Sequence, residues 1–307
     1  MRCPTLNELP PSPVGKTGWP WTEGTPQLPD ATPDGQPWPV ISIVTPSYNQ
    51  GQFLEEAIRS VLLQGYPALE YIIIDGGSTD HSGEIIKKYE QWLTYWCSEP
   101  DRGPANALNK GFHYATGEIL GFLNSDDFYL SRCFGKVTLK FLRDPSSDIL
   151  YGDGYMLEMS NNRQKALFSD RWNRRRFAYG ACVLVQQATF FRHQVFARTG
   201  GFNELNRTCW DAELWADLAL SGGRFCYFED SLAVFRIHDA SITGNIRLKA
   251  QYLLDKAKIF EKVVGRQKRL HDLLFEFIYR ILKASGRLKR ARLVPNYELV
   301  QTHKLRA

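Results

Sequence analysis

Over the first half of the chain the apolar residues fall into short blocks that switch between two periods. Val40–Thr45 (VISIVT) is an apolar run of strand length. Gln52–Gln64 then places Phe53, Ala57, Ile58, Val61 and Leu62 at helical spacing, with Glu55 and Glu56 early in the helix. Glu70–Asp75 (EYIIID) predicts a second strand, and after Gly76–Asp80 a helix runs through Ile85, Ile86 and Tyr89. A third, shorter strand over Thr94–Cys97 is followed by a helix over Ala105–Ala115 and a fourth strand over Glu118–Leu123. That strand has Ile119, Leu120, Phe122 and Leu123 around Gly121, a pattern buried on both faces, and it leads into two adjacent carboxylates, Asp126 and Asp127. Strands alternating with helices predict parallel units with right-handed crossovers.

In a parallel sheet the loops after the strands open on one edge, so Pro46–Asn49, Asp75–Asp80 and Asn124–Asp127 are expected to face one crevice. Asp75 offers hydrogen-bond acceptors to a base or ribose, and Gly76 and Gly77 allow close backbone approach. Asp126 and Asp127 either hold a divalent cation, and through it a phosphate, or start the next helix as N-caps. Ser98–Gly111 (SEPDRGPANALNKG) brings Asp101, Arg102, Asn106 and Lys110 beside the crevice, with Pro104 in the first turn of its helix. No G-x-G-x-x-G follows a strand, which disfavours a dinucleotide oxidoreductase.

Composition changes this picture little; charge distribution changes it more. Hydrophobic content of 43% and charged content of 23% are ordinary for a globular protein, and no stretch approaches the roughly 20 apolar residues of a membrane span. The six cysteines form no C-x-x-C pair, which argues against zinc and a disulfide framework and fits a reducing cytoplasm. The net charge of +5 is unevenly spread: Ile246–Ala307 holds 16 Lys and Arg against 5 Asp and Glu, so the preceding body is mildly acidic. Met1–Pro39 holds ten of the sixteen prolines together with Trp19, Trp21 and Trp38, and reads as an extended arm packed on the body.

The motifs ISIVTPSYNQGQFLEEAIRSVLLQ, YIIIDGGSTDHS, SEPDRGPANALNKGFHYATGEILGFLNSDD, QQATFFRHQVFARTGGFNE, WDAELWADLALSGG and FRIHDASIT follow in order from Ile41 to about Thr243. As an ordered set they resemble the inverting glycosyltransferase family 2. The resemblance implies the GT-A fold, an α/β, Rossmann-like mixed sheet with flanking helices, here followed by a C-terminal helical extension. It divides the chain into the arm 1–39, a transferase domain 40–245 with nucleotide-binding (40–127) and acceptor (128–245) halves, and a basic helical extension 246–307. By the same resemblance Thr45, Pro46, Tyr48 and Asn49 border the nucleotide, Asp75 reads its base, and Ser78 belongs to the same nucleotide loop. Asp101, Asn106 and Lys110 line the base, ribose and phosphate side. Asp126 and Asp127 correspond to the metal and ribose carboxylates. The chain departs from the commoner acidic pattern with Asn124 in place of an Asp, and with Gly76 where many members have a second acid. The cofactors implied are Mn2+ or Mg2+ and a nucleoside-diphosphate sugar as donor.

In the second half, Ile149–Tyr151 and Tyr155–Met159 read as two strands around Gly152-Asp153-Gly154, as in an antiparallel pair. Arg171–Arg176 (RWNRRR) is either a solvated loop or a phosphate-greeting cluster, and Gln187–Arg192 is extended with Gln187, Thr189 and Phe191 on one face. Asp211 and Glu213 are two apart, so on a helix only one points into the crevice; the resemblance makes Asp211 the base for the acceptor hydroxyl. Arg236–His238 fits a loop over the phosphates, with His238 a metal ligand or phosphate donor by resemblance. From Leu270 the apolar residues follow helical spacing into the basic run Lys283–Arg292. That helix either packs on the body or on a second subunit, as in a homodimer, or lies at an anionic bilayer where lipid-linked acceptors are found. The expectation is therefore a cytoplasmic enzyme, peripheral at the inner face of the plasma membrane if the helix binds lipid. It takes a nucleotide-sugar donor and a glycan or lipid-linked acceptor in surface polysaccharide synthesis, with no nucleic acid. The alternatives are a sugar-nucleotide nucleotidyltransferase and an inactive membrane or nucleic-acid adaptor that retains the fold.

Overall fold

The computed structural model describes residues 1–239, 241 and 248–293, with side chains described through Ala284. Its elements in chain order are β1 (Ile41–Ser47), α1 (Gly51–Leu62), β2 (Leu69–Asp75), α2 (Ser82–Tyr89), β3 (Tyr95–Ser98), α3 (Pro104–His113), β4 (Ile119–Phe122) and β5 (Phe128–Tyr129). There follow α4 (Cys133–Arg143), β6 (Ile149–Glu158), β7 (Arg163–Leu167), α5 (Arg174–Ala178), β8 (Thr189–Arg192) and α6 (His193–Phe196). The last are α7 (Trp210–Leu220), β9 (Phe225–Ile237), α8 (Lys249–Val264) and α9 (Leu270–Leu293).

The strands form one mixed sheet in the order β3-β2-β1-β4-β8-β6-β9-β5, with β7 on β6. The first four strands run parallel, as the helix and strand alternation predicts. Beyond β4 the sheet turns antiparallel through β8. All seven residues of β1 are buried because the sheet is covered on both faces. Strand periodicity divides them: Ile41 and Ile43 join the core on one face with Tyr71 and Ile73 of β2, while Val44 joins the other face with Ile72 and Ile74.

The arm contributes Cys3, Leu9 and Trp38 to the first of these cores. Arg59 on α1, 1% exposed, donates to the carbonyls of Pro10, Pro20 and Trp21 and lies 5.6 Å from the Trp21 ring centroid. Two stretches of the arm and α1 thus meet at one guanidinium.

Two sequence expectations are corrected. Ile149–Glu158 is one continuous strand, not two strands paired around Gly152-Asp153-Gly154. The glycines let β6 shift register against its parallel neighbour β9 at Asp153, since a Cβ on Gly152 would lie 2.6 Å from the Asp230 carbonyl. The antiparallel partners of β6 are β8 along Ile149–Tyr151 and β7 along Gly154–Glu158. Arg236 and Ile237 are the end of β9, not a loop, because this strand continues across the sheet to pair with both β6 and β5. The end of the FRIHDASIT stretch, Ala240, Ile242 and Thr243, lies outside the described residues, as do the boundary at 245–246 and the tail from 294.

Candidate active site

The loops after β1, β2, β3 and β4 open on one sheet edge and form a wall of a cavity of about 1050 Å³; the opposite wall comes from the segment before β8, the start of α7, and α8. Of the residues singled out in the sequence, Pro46, Tyr48, Asp101, Asn124, Asp126 and Asp211 line it. Tyr48 is 60% exposed and offers a flat ring beside Gly76 and Gly77. Gly76 leaves the space that Asp101 occupies: a Cβ would lie 2.7 Å from the Asp101 carboxylate and 3.3 Å from the Tyr48 ring, so Asp101 would have to shift. Asp101 in turn accepts from the Gly103 N–H at 2.7 Å, fixing the turn into α3.

Thr45, Asn49, Asp75, Ser78, Asn106, Lys110, Asp127 and His238 are not part of the cavity lining, and the reasons are local. Thr45 is buried within β1 with its hydroxyl 3.2 Å from that of Tyr71. Asp75 is fully buried and accepts from the Ser78 N–H, the Ser78 hydroxyl and the Ser98 hydroxyl, so its carboxylate is spent on building the loop. Asn49, at φ 51°, ties two loops together by donating its N–H to Ser78 and accepting the Thr79 N–H at 2.8 Å. Asn106 accepts the Arg102 N–H, and Lys110 is paired with Glu99 at 2.8 Å. These residues shape the wall from behind.

The acidic pair divides sharply. Asp127 is completely buried; one carboxylate oxygen accepts the Arg236 N–H at 2.8 Å and the other the Gln187 amide at 2.7 Å. Burial, then the charge of Asp126, push its carboxyl well above the ordinary range. Asp126 instead reaches the cavity, and one of its oxygens lies 3.0 Å from His238 Nε2. The His238 ring leans on Phe53 at 4.8 Å between centroids. Arg236 supports this corner from within, 2.7 Å from Glu56 and donating to the Asp126 carbonyl at 2.7 Å. Asn124 also has a local reason. Its amide donates to Gln186, whose own amide donates to the Phe122 carbonyl, and an Asp at 124 has no such donor.

Across the cavity, Asp211 stands in the first turn of α7, and its carboxyl has no side-chain partner among the described residues. Burial raises it above the ordinary carboxyl range. Glu213 diverges as the helical spacing requires, accepting from Asn203 and Asn206 and pairing with Lys262 at 2.6 Å. Two polar residues of this wall gave no sequence signal. Lys256 and Tyr252, one turn apart on α8, line the cavity, and Lys256 has no ion-pair partner among the described residues. Ser47 Oγ, Gln50 Oε1, Trp210 Nε1 and Ser241 Oγ, all in residues that line the cavity, are buried with no hydrogen-bond partner. Such groups are costly unless a ligand or water satisfies them, so the cavity suits a polar ligand.

Among the described residues no group of three or more His, Cys, Asp and Glu comes together as a metal cage. The Asp126 carboxylate and His238 imidazole make a two-residue donor set. That set fits a cation of the Mg2+ or Mn2+ kind, which keeps waters and takes further oxygens from a substrate phosphate.

A parallel half-sheet with ligand loops on one edge, continued by an antiparallel half that supplies a facing carboxylate, is the GT-A arrangement. The chain belongs to the family described as glycosyl transferase family 2, whose model matches residues 42–199. An uncharacterized glycosyltransferase of Mycobacterium tuberculosis is 32% identical over 169 residues, covering 54% of this chain and 63% of that relative. The chain thus spans less than two thirds of that relative's length. TuaG of Bacillus subtilis, a glycosyltransferase provisionally placed in teichuronic acid biosynthesis, is 28% identical over 67% of this chain and 82% of its own length. Among solved structures, S. aureus TarS 1-349 in complex with UDP-GlcNAc superposes with a TM-score of 0.59 at 17% identity, covering 76% of this chain and 69% of that one. The mannosyltransferase PcManGT of Pyrobaculum calidifontis, in complex with GDP-Man and Mn2+, gives 0.58 at 20% identity over 87% and 79%. At these identities the structural likeness concerns the fold.

Proposed function

We propose that the chain transfers a sugar from a nucleoside-diphosphate sugar to an acceptor hydroxyl, with inversion at the anomeric carbon, in the synthesis of a surface glycan. The observation that carries this reading is the unpartnered Asp211 carboxyl facing the Asp126–His238 corner across one cavity. Tyr48, Gly76, Gly77 and Asp101 form a wall on which a base and ribose fit, with the aromatic ring as a stacking surface. Asp126 and His238 would hold a divalent cation, which would offset the charge of the diphosphate. Relatives in the same fold that carry UDP-GlcNAc or GDP-Man with Mn2+ support a donor of this class.

Asp211 removes the acceptor proton as the acceptor oxygen forms a bond to the anomeric carbon. The bond from that carbon to the diphosphate oxygen breaks, and the nucleoside diphosphate leaves with the electron pair. The raised Asp211 carboxyl is a stronger base than an exposed one, which favours proton removal near neutral pH. Lys256 on the acceptor side meets an anionic group of the acceptor, such as a phosphate or uronate.

Asp211→Asn tests the assignment. Transfer should fall about 10²–10⁴-fold while donor binding, read by thermal shift, persists. Near wild-type turnover, or product of retained configuration, defeats it.

A further inference from the structure

Helix α9 is turned inside out relative to a helix that packs on its own domain. Leu270, Leu273, Leu274, Phe277, Ile278 and Ile281 recur at the spacing of one helical face, and each is between 40% and 84% exposed. The opposite face makes the contacts with the body. Asp272, completely buried, accepts from Arg266 and from the Tyr179 hydroxyl at 2.7 Å, and Phe275 and Tyr279 pack against the Tyr179 ring. On α8, Tyr252, Leu253 and Leu254 add side chains 45–59% exposed.

Charge identifies what covers this face. From Tyr279 to Leu293 the helix carries six Lys and Arg and no Asp or Glu; Arg280 and Lys283 are paired with Glu276 and Asp170, and Arg287, Lys289, Arg290 and Arg292 follow in the sequence. The acids of α9 are spent: Asp272 is buried on Arg266, and Glu276 is bonded to Lys268 and Arg280. A second copy of the chain would bring no acidic side chain of α9 to this face. An anionic lipid surface supplies both an apolar layer and negative charge. The 24-residue helix is about 36 Å long, and no described helix is apolar enough to cross a bilayer, so it would lie in the interface plane.

We infer that the exposed apolar faces of α8 and α9, with the basic end of α9, dock the chain on an anionic phospholipid surface. Docking also orients the cavity. Tyr252 both lines the cavity and belongs to the exposed α8 face, so the acceptor wall is held against the bilayer. That consequence rests on the proposed function; the docking itself does not.

The test is co-sedimentation of the full chain with vesicles of phosphatidylcholine alone or mixed with phosphatidylglycerol. Binding is expected with the mixed vesicles, to weaken with salt, and to fall about a hundredfold in Phe277→Glu/Ile281→Glu. Both side chains are more than half exposed, so the variant should keep the wild-type Tm and nucleotide-induced thermal shift. Equal sedimentation of variant and wild type overturns the inference, as does absence of wild-type binding to the mixed vesicles. A dimer seen by light scattering, dissolved by the same substitutions and blind to vesicles, would assign the face to a second copy instead. None of these readouts needs catalysis.

Discussion

Arg236→Met separates the structural support of the site from its chemistry. The guanidinium is buried, 2.7 Å from Glu56, and its centre lies 4.6 Å from the Phe128 ring and 5.2 Å from that of Phe53. Met preserves most of the stem's packing but leaves the Glu56 side chain, 11% exposed, without its cation. Removing one member of a buried pair costs about 3–5 kcal/mol. The expected destabilisation relative to wild type is therefore about 3–5 kcal/mol at pH 7. Glu56→Gln in the same chain removes the stranded charge and should restore about 2 kcal/mol. Urea unfolding of the single and double variants at pH 7 measures both quantities. A loss under about 1 kcal/mol refutes the claim that the ion pair is buried and mutually dependent. Donor affinity should fall in the same variant, since the Asp126 carbonyl loses its 2.7 Å donor.

Two further outcomes follow from the facing walls of the cavity. A base is active only when deprotonated, and burial raises the Asp211 carboxyl; the acid limb of kcat/KM should therefore lie above the usual Asp value of about 3.9. A limb at that ordinary value in wild type, or the same limb in the residual activity of Asp211→Asn, counts against Asp211 as the base. On the proposed two-donor cation site His238→Ala removes one donor, so the Mn2+-dependent part of the thermal shift given by a nucleoside diphosphate should weaken at least about tenfold in metal concentration, with the metal-free shift unchanged. An unaltered Mn2+ dependence removes His238 from the donor set.

The parallel half of the fold was legible because its signals are local. Each strand from β1 to β4 is a continuous apolar run and each intervening helix has its own apolar stripe, so element type and the common loop edge follow from spacing alone. The second half was less legible for physical reasons. Strand β9 carries Glu229, Asp230 and Ser231 in its middle, which reads as a turn, yet the register shifts against β6 absorb it. Lys256 resembles any lysine on an amphipathic helix; only the packing of α8 beside α5 and α7 turns it to the cavity. Spacing also cannot tell a loop carboxylate that faces the cavity from one that builds the loop. Asp75 and Asp101 both follow strands, but Ser78 and Ser98 enclose the first, while Gly76 leaves room for the second.

The same limit explains the two adjacent carboxylates. Asp126 lies in the turn after β4 and Asp127 immediately before β5, so the local chain does not require the two to share one environment. What decides between them is the pairing of β5 with β9, in which Phe128 lies opposite Val234. That register carries Arg236 alongside the pair: its main-chain N–H falls on Asp127 and its guanidinium on the carbonyl of Asp126. Asp127 thereby becomes the joint that binds the loop after β4 to β9 and, through Gln187, to the segment before β8. Asp126 is left facing the cavity, and His238, two residues beyond Arg236 on the same segment, comes within 3.0 Å of it. One strand pairing between segments far apart in sequence both buries one acid and equips the other with an imidazole partner. The division of labour within the pair is thus a property of the sheet, with the buried acid holding in place the strand end that delivers the histidine.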